Sequence, residues 1–144
     1  MAQRRTVIAT GLAAVAAVAS RPALAQVDDG TKNKVVFQIS DPEPARWNLA
    51  LNNVRNFQTE LPDDVSDIEV VVYGPGIALL RKESTLAQRV ADTLKNGVKV
   101  VACENTMHAM KLEYKDMLPD IGYVKAGVVE LVKKQQQGYA YIRP

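Results

Sequence analysis

The chain has 144 residues, with 18 Lys and Arg against 16 Asp and Glu, and its formal net charge is +2. Hydrophobic residues make up 47% and charged residues 24%, which fits one globular domain and excludes a disordered or fibrous chain. The three arginines of residues 1–25 account for the positive balance, because the other 119 residues carry a net charge of −1. We therefore expect no nucleic-acid partner, which would require clustered Lys and Arg.

Residues 1–25 have the pattern of an export signal. Arg4 and Arg5 precede an uncharged run, 7–19, and the segment ends in an Ala-x-Ala cleavage pattern. As a helix the run would reach about 20 Å, against about 30 Å of hydrocarbon, so no permanent membrane anchor is expected. The paired arginines favour twin-arginine export, with an ordinary secretion signal as the alternative. We expect cleavage after Ala25 and a periplasmic location.

The mature chain is predicted to start with a polar tether, 26–33, followed by a single domain over 34–144. Three short runs are almost entirely apolar and rich in β-branched residues: 35–39, 68–73 and 98–103. Runs of this kind suit strands that are covered on both faces, which indicates a parallel sheet.

Helical patterns lie between these strands. Apolar residues recur at spacings of three and four from Trp47 to Leu61, with Asp41 and Pro42 as the expected cap and first-turn proline. A capping-box pattern at 85–88 precedes a second helix. The aromatic ring of Trp47 is expected to pack in the core.

The second helix is expected to stop at Asn96-Gly97, and a shorter one to start near Asn105 or Thr106. Another helix is predicted from about Gly127 to a stop at Gly138, and a last strand covers 139–143. The alternation predicts a three-layer α/β/α fold with a mostly parallel sheet of four or five strands.

In such sheets the site lies beyond the carboxyl ends of the strands. The second strand runs into Tyr73-Gly74-Pro75-Gly76, where glycines permit close approach of the backbone and the turn could point amides at a ligand. The alternative is a tight strand-to-helix connection without a ligand.

The third predicted strand ends at Cys103, the single cysteine of the chain, and Glu104 and Asn105 follow. Asn105 is a good helix N-cap, which would place the thiol at or just before a helix N-terminus and favour the thiolate. Glu104 opposes this effect by charge repulsion, so the sequence leaves the direction of the pKa shift open. We expect the thiol at the surface edge of the sheet; a small buried hydrophobe is the alternative.

His108, the single histidine, follows Cys103 by five positions, which on a helix is about 140° around the axis. This spacing disfavours a Cys-His metal pair and makes a solvated surface histidine the default. No metal and no cofactor are expected. The methionine-rich stretch 107–118 is assigned to the core or to an interface.

Four segments together are similar to one family: 47–53, 73–77, 102–107 and 126–144. From Lys34 to Pro144 the chain resembles the DsrE/DsrF-like family of sulfur-relay proteins. The resemblance implies a small α/β fold with a mostly parallel sheet and assembly into dimers, trimers or hexamers. In active members it also implies a persulfide-forming cysteine after the third strand, and Cys103 falls at that position.

The leading hypothesis is a periplasmic sulfur carrier in which the Cys103 thiolate accepts sulfane sulfur and passes it to another thiol. Its partners would be sulfur donor and acceptor proteins or small sulfane-sulfur species. The residues expected around the sulfur are Tyr73, Gly74, Gly76, Glu104 and Asn105. The alternative is an oligomeric scaffold of a sulfur-oxidation or redox pathway with a structural Cys103. Self-association is expected through 107–118 or, alternatively, 128–132.

Overall fold

Residues 33–62 and 65–144 are described by the structure, a computed structural model. The expected export signal, 1–25, and residues 26–32 of the expected tether lie outside these residues, whereas its last residue, Asn33, belongs to the first strand, so the predicted boundary is wrong by one residue. The described elements follow one another as β1 (Asn33–Ile39), α1 (Pro44–Glu60), β2 (Val65–Val72), α2 (Ala87–Lys95), β3 (Lys99–Cys103), α3 (Glu104–Ala109), β4 (Gly122–Val124), α4 (Gly127–Gln136) and β5 (Ala140–Ile142). Two 3₁₀ helices, Gly74–Leu80 and Tyr114–Asp116, complete the set.

The five strands form one sheet in the order β4-β3-β2-β1-β5, and every neighbouring pair is parallel. The three β-branched runs and the last predicted strand form β1, β2, β3 and β5, so the predicted α/β fold is confirmed. Strand β4 is not predicted from the sequence, because three residues are too few to show a periodicity. It pairs with β3 from Gly122 opposite Val101 to Val124 opposite Cys103.

The two faces of the sheet are covered unequally. Alternate residues of the strands, such as Phe37, Val70 and Val100, belong to a large core that also contains residues of α1, α2, α3 and the first 3₁₀ helix. The opposite face holds a small cluster of five buried residues: Val36, Val71, Val101, Leu131 and Tyr139. Leu131 belongs to α4, which crosses from β4 to β5 at the far edge of the sheet. Helix α4 is thus the helix that covers this second face.

The starts of the first two helices differ from prediction. Helix α1 begins at Pro44, with Glu43 as its extended N-cap residue, and not at Pro42. A residue before proline avoids the helical region, so Glu43 cannot belong to the helix that Pro44 opens. Helix α2 starts at Ala87 and has no side-chain cap, so the expected capping box of Thr85 is wrong.

The predicted stops of α2 and α4 are confirmed. Helix α2 ends at Lys95 with Asn96 as its C-cap residue, and Gly97 follows with a φ of +82°. Gly138 follows α4 with a φ of +88°. Trp47 is buried, and its indole nitrogen donates to the carbonyl of Asp41 at 2.7 Å. Within the described residues, no helix combines the length and the hydropathy that a membrane span requires.

A buried ion pair lies between β2 and α4. Glu69 is 3% exposed, and its Oε2 atom is 2.8 Å from Nζ of Lys134. Lys134 also lies 3.8 Å from Glu130, one turn earlier on α4. Burial raises the pKa of the Glu69 carboxyl, and the hydrogen bond from Lys134 acts in the opposite direction. The pair ties the last turn of α4 to the middle of the sheet.

Candidate functional site

Cys103 ends β3 and is the N-cap residue of α3. By the alternation of the strand its side chain lies on the face of Val101, which is the face that α4 covers. The predicted position of the thiol at a helix N-terminus is therefore confirmed. The predicted exposure is wrong, because only 4% of Cys103 is accessible. Residues 125–127, which lead from β4 into α4, supply the backbone groups that contact the sulfur.

Several donors lie near the sulfur of Cys103. Burial acts to raise the pKa of this thiol, but the side chain of Thr106 and the nearby backbone amides of Gly127, Thr106 and Asn105 lower it. The net result is a pKa below the ordinary value of a cysteine. In the thiol form, Sγ donates to the carbonyl oxygen of Lys125 at 3.9 Å. The thiolate therefore forms at lower pH here than in an ordinary cysteine.

Close packing of Gly127 against Tyr73 brings the start of α4 to the sulfur. A β-carbon built at Gly127 would lie 2.8 Å from Cδ1 of the Tyr73 ring. Real β-carbons do not approach ring atoms so closely, so this position requires a residue without a side chain. As a result the Gly127 amide reaches the Cys103 sulfur, and Tyr73 lies beside the pair.

The glycine-rich turn after β2 makes the predicted close approach, but within the protein. A β-carbon at Gly76 would lie 2.7 Å from the carbonyl oxygen of Ile39, at the end of β1. The Gly76 amide donates to the carbonyl of Ser40 at 3.2 Å, and the Gly74 amide donates to Oγ1 of Thr106 at 3.0 Å. Both amides thus bond to protein atoms, which agrees with the simpler reading of a tight connection.

Three polar side chains, those of Gln38, Ser40 and Tyr141, form a polar wall beside Tyr73. Nε2 of Gln38 donates to Oγ of Ser40 at 2.9 Å, and the hydroxyl of Tyr141 donates to Oε1 of Gln38. The side chain of Ser40 also bonds to that of Tyr73. Burial raises the pKa of the Tyr73 hydroxyl, and the Cys103 charge adds to the increase, whereas Arg143 opposes it. Tyr73 therefore stays a neutral hydroxyl beside the sulfur.

Glu104 and Asn105 follow the cysteine but lie differently from expectation. Helix α3 begins at Glu104, so the N-cap residue is Cys103, and the prediction of Asn105 as N-cap is wrong by two positions. Asn105 contributes through its backbone, because its amide donates to the carbonyl of Lys125 at 3.1 Å. The Glu104 carboxylate accepts a hydrogen bond from the hydroxyl of Tyr114. Glu104 and Asn105 also line a surface pocket of about 690 Å³ next to the cysteine.

His108 lines that pocket and is exposed, which confirms the prediction of a solvated surface histidine. Within the described residues, the hydrogen bond of the Cys103 thiol runs to the carbonyl of Lys125 and not to His108. In the same part of the chain, no group of three His, Cys, Asp or Glu residues is arranged to hold a metal ion. A second groove of about 600 Å³ lies between α2 and β3, away from Cys103.

Sequence analysis missed two residues of the site, Thr106 and Gly127. Thr106 has no signal of its own in the sequence, because its partner Gly74 is 32 positions away. The sequence predicts Gly127 as a helix start, but its close packing against Tyr73 depends on how α4 packs on the sheet. Tyr73, Gly74 and Asn105 do come together around Cys103, whereas Gly76 packs against β1.

These features define a small α/β protein with an all-parallel sheet and one cysteine whose sulfur is held by donors at the carboxyl end of the third strand. The sequence model of the DsrE/DsrF-like family matches residues 33–144, and the chain belongs to this family. Membership gives the protein a role related to sulfur relay in general terms.

Solved structures agree with the assignment. MTH1491 of Methanobacterium thermoautotrophicum, a protein of unknown function, is similar with 37% identity and a TM-score of 0.75 over 78% of this chain and 100% of its own. BT1422 of Bacteroides thetaiotaomicron, a conserved protein of unknown function, has 12% identity and a TM-score of 0.65 over 78% and 95%. The ychN protein of E. coli has 12% identity and a TM-score of 0.64 over 78% and 99%. The last two show the fold alone. No curated protein matches the chain.

Proposed function

We propose that the protein is a sulfur carrier in which Cys103 accepts sulfane sulfur as a persulfide and passes it to another thiol. The observation that carries this proposal is the place of Cys103 as the N-cap residue of α3, where the Thr106 side chain and nearby backbone amides lower the pKa of the thiol. These donors stabilise a negatively charged sulfur, the form that acts as a nucleophile. A cysteine kept for packing alone would lie among apolar groups, which raise the pKa of a thiol.

Loading would proceed by attack of the Cys103 thiolate on the outer sulfur of a donor R–S–SH. The new bond joins Sγ to the outer sulfur, the S–S bond of the donor breaks, and the donor leaves as the thiolate R–S⁻. The proton stays on the transferred sulfur, and no external oxidant or reductant is consumed. This is thiol-disulfide exchange chemistry applied to a persulfide.

Unloading reverses the roles. An acceptor thiolate R′–S⁻ attacks the outer sulfur of the Cys103 persulfide, forms R′–S–SH and releases Sγ as a thiolate. A thiol with a lowered pKa leaves faster in such exchanges. The same hydrogen bonds that favour the attacking thiolate therefore favour its departure. Small donors and acceptors would reach the sulfur past Tyr73 and Asn105, the neighbours of Cys103 that the sequence also indicated.

A scaffold with a structural Cys103 is the second candidate, and one observation favours it. The residue is 4% exposed, which limits the access of a large partner to the sulfur. Alkylation separates the two functions. Reaction of the native protein with iodoacetamide at a rate comparable to that of the urea-unfolded protein supports the carrier, and reaction only after unfolding supports the scaffold.

The direct test is sulfur loading followed by intact mass spectrometry. Incubation with polysulfide should add one or more sulfur atoms, and dithiothreitol should remove them. Cys103→Ser and Cys103→Ala should carry no added sulfur, and since Cys103 is the single cysteine, every adduct reports on this site. Circular dichroism of both variants checks that the fold is kept. Native protein that gains no mass under these conditions would contradict the carrier function.

A further inference from the structure

Thr106 differs from other threonines on the helices of this protein. The hydroxyls of Thr59 and Thr93 donate to the carbonyls of Arg55 and Arg89, four residues earlier on the same helix, at 2.9 and 2.8 Å. This is the usual bond of a helical threonine. Thr106 lies in the first turn of α3, and the residue four positions before it belongs to β3. Its hydroxyl is therefore available for other partners.

Two groups meet the Thr106 hydroxyl from different elements. The amide of Gly74, in the turn after β2, donates to Oγ1 at 3.0 Å. Cys103, the N-cap residue of α3, lies three positions before Thr106, and the Thr106 side chain lowers the pKa of its thiol. A hydroxyl has one proton to donate and two lone pairs that accept. The amide occupies one lone pair of the hydroxyl, which leaves the hydroxyl proton available for donation to the sulfur.

We propose that Thr106 is a positioning residue of the cysteine site, whose hydroxyl is held by the Gly74 amide and donates its proton to Sγ of Cys103. Gly74 can present its amide in this way because its φ is +55°, a conformation that glycine adopts at little cost. The turn after β2 thereby fixes a donor on α3. The effect on the thiolate stands by itself, and only its consequence for sulfur transfer rests on the proposed carrier function.

The test compares three variants with the wild type by the pH profile of iodoacetamide alkylation and by the ultraviolet absorbance of the thiolate. Thr106→Val removes the hydroxyl and keeps the shape, and we expect its midpoint to move to higher pH and its alkylation at pH 7 to be about tenfold slower, as for a lost hydrogen bond to a charged group. Thr106→Ser keeps the hydroxyl and should restore the wild-type profile. Thr93→Val, which removes a hydroxyl bonded within α2, should leave the profile unchanged.

A wild-type midpoint in Thr106→Val, or a Ser variant that behaves like the Val variant, would overturn the proposal. If Thr106→Val does not fold, Thr106→Ala takes its place, and the comparison with Thr106→Ser keeps the same meaning. Sulfur loading of the wild type is measured separately by mass. If the midpoint of Thr106→Val is shifted but the wild type takes up no sulfur, the positioning role stands and the carrier function is rejected. If the wild type takes up sulfur but the midpoint of Thr106→Val is unshifted, the carrier function stands and the positioning role is rejected.

Discussion

Gly127, the first residue of α4, lies against the ring of Tyr73, the residue that follows β2, and leaves no room for a β-carbon between them. Gly127→Ala should therefore move the start of α4 away from Cys103, withdraw one amide from the sulfur and raise the pKa of the thiol. The overpacking costs about 1 to 3 kcal/mol, against up to about 1 kcal/mol gained in helix propensity. Alkylation profiles and urea unfolding measure both effects.

Lys133→Ala is the control for Gly127→Ala. Lys133 is an exposed residue of the same helix, so its truncation should change neither the alkylation profile nor the packing at Tyr73. If the thiol of Gly127→Ala titrates at the same pH as that of the wild type, the Gly127 amide is not needed at the sulfur.

The lowered pKa of Cys103 makes stability depend on pH. In the folded state the thiol ionises at lower pH than in the unfolded chain, so its contribution is fully present above the unfolded pKa and is lost as the pH falls through the folded pKa. We expect the difference in unfolding free energy between the wild type and Cys103→Ala to grow as the pH rises towards the ordinary pKa of a cysteine, about 8.5, and to level off above it. Urea denaturation at several pH values measures it, and a difference that shrinks as the pH rises is the contrary result.

The ion pair of Glu69 and Lys134 should be costly to break from one side. Lys134→Met leaves the Glu69 carboxylate buried without its cation, and we expect a loss of about 3 kcal/mol of unfolding free energy. Adding Glu69→Gln removes the unpaired charge and should recover a large part of the loss. Lys133→Met, an exposed neighbour on α4, is the control and should lie within about 0.5 kcal/mol of the wild type. A Lys134 variant as stable as this control would contradict the prediction.

We propose that the protein self-associates through α4. Val128, Val129 and Val132 are 54%, 48% and 52% exposed, and they form an apolar stripe on the helix that covers the second face of the sheet. The alternative stretch, 107–118, is the poorer candidate because Met107 and Met117 are buried within the single chain. Large exposed apolar patches mark interaction surfaces.

Light scattering over a range of concentrations tests this proposal. Val129→Glu with Val132→Glu should shift the mass towards that of a single chain, because a buried carboxylate in an apolar interface is costly. Leu49→Glu changes a similarly exposed residue, 43% accessible, on α1 and should leave the mass as in the wild type. A wild-type protein with the mass of one chain at every concentration would refute self-association.

We also propose that the chain is exported by the twin-arginine route and works in the periplasm. Mass spectrometry of the exported form should give Gln26 as the first residue. Arg4→Lys with Arg5→Lys should block export, since the paired arginines are the feature that favours this route. Full export of the double variant would reject the twin-arginine route and leave general secretion in its place.

How much of the structure the sequence predicts depends on whether a feature is set by neighbouring residues or by residues far apart in the chain. The β-branched runs of β1, β2 and β3 and the glycine stops at 97 and 138 are local, and the structure confirms them. The choice between Pro42 and Pro44 is also local, but two prolines in one segment give the same signal. The cysteine site depends on residues that meet through the fold: Gly74 reaches Thr106, and Gly127 reaches Tyr73. No local sequence pattern indicates that the two residues of such a pair are in contact.

Strand β5 pairs with β1, so the last residues of the chain close a sheet that its first described residues begin. Tyr141 bonds to Gln38 across 103 positions, and Arg143 bonds to Asp41 across 102. During synthesis, the outer edge of β1 and the polar wall beside Tyr73 therefore stay unfinished until β5 has been made. A product that terminates before β5 would keep Cys103 but lack this wall and expose a strand edge, which is a template for aggregation. The order of synthesis thus makes β5 a condition for a protected site.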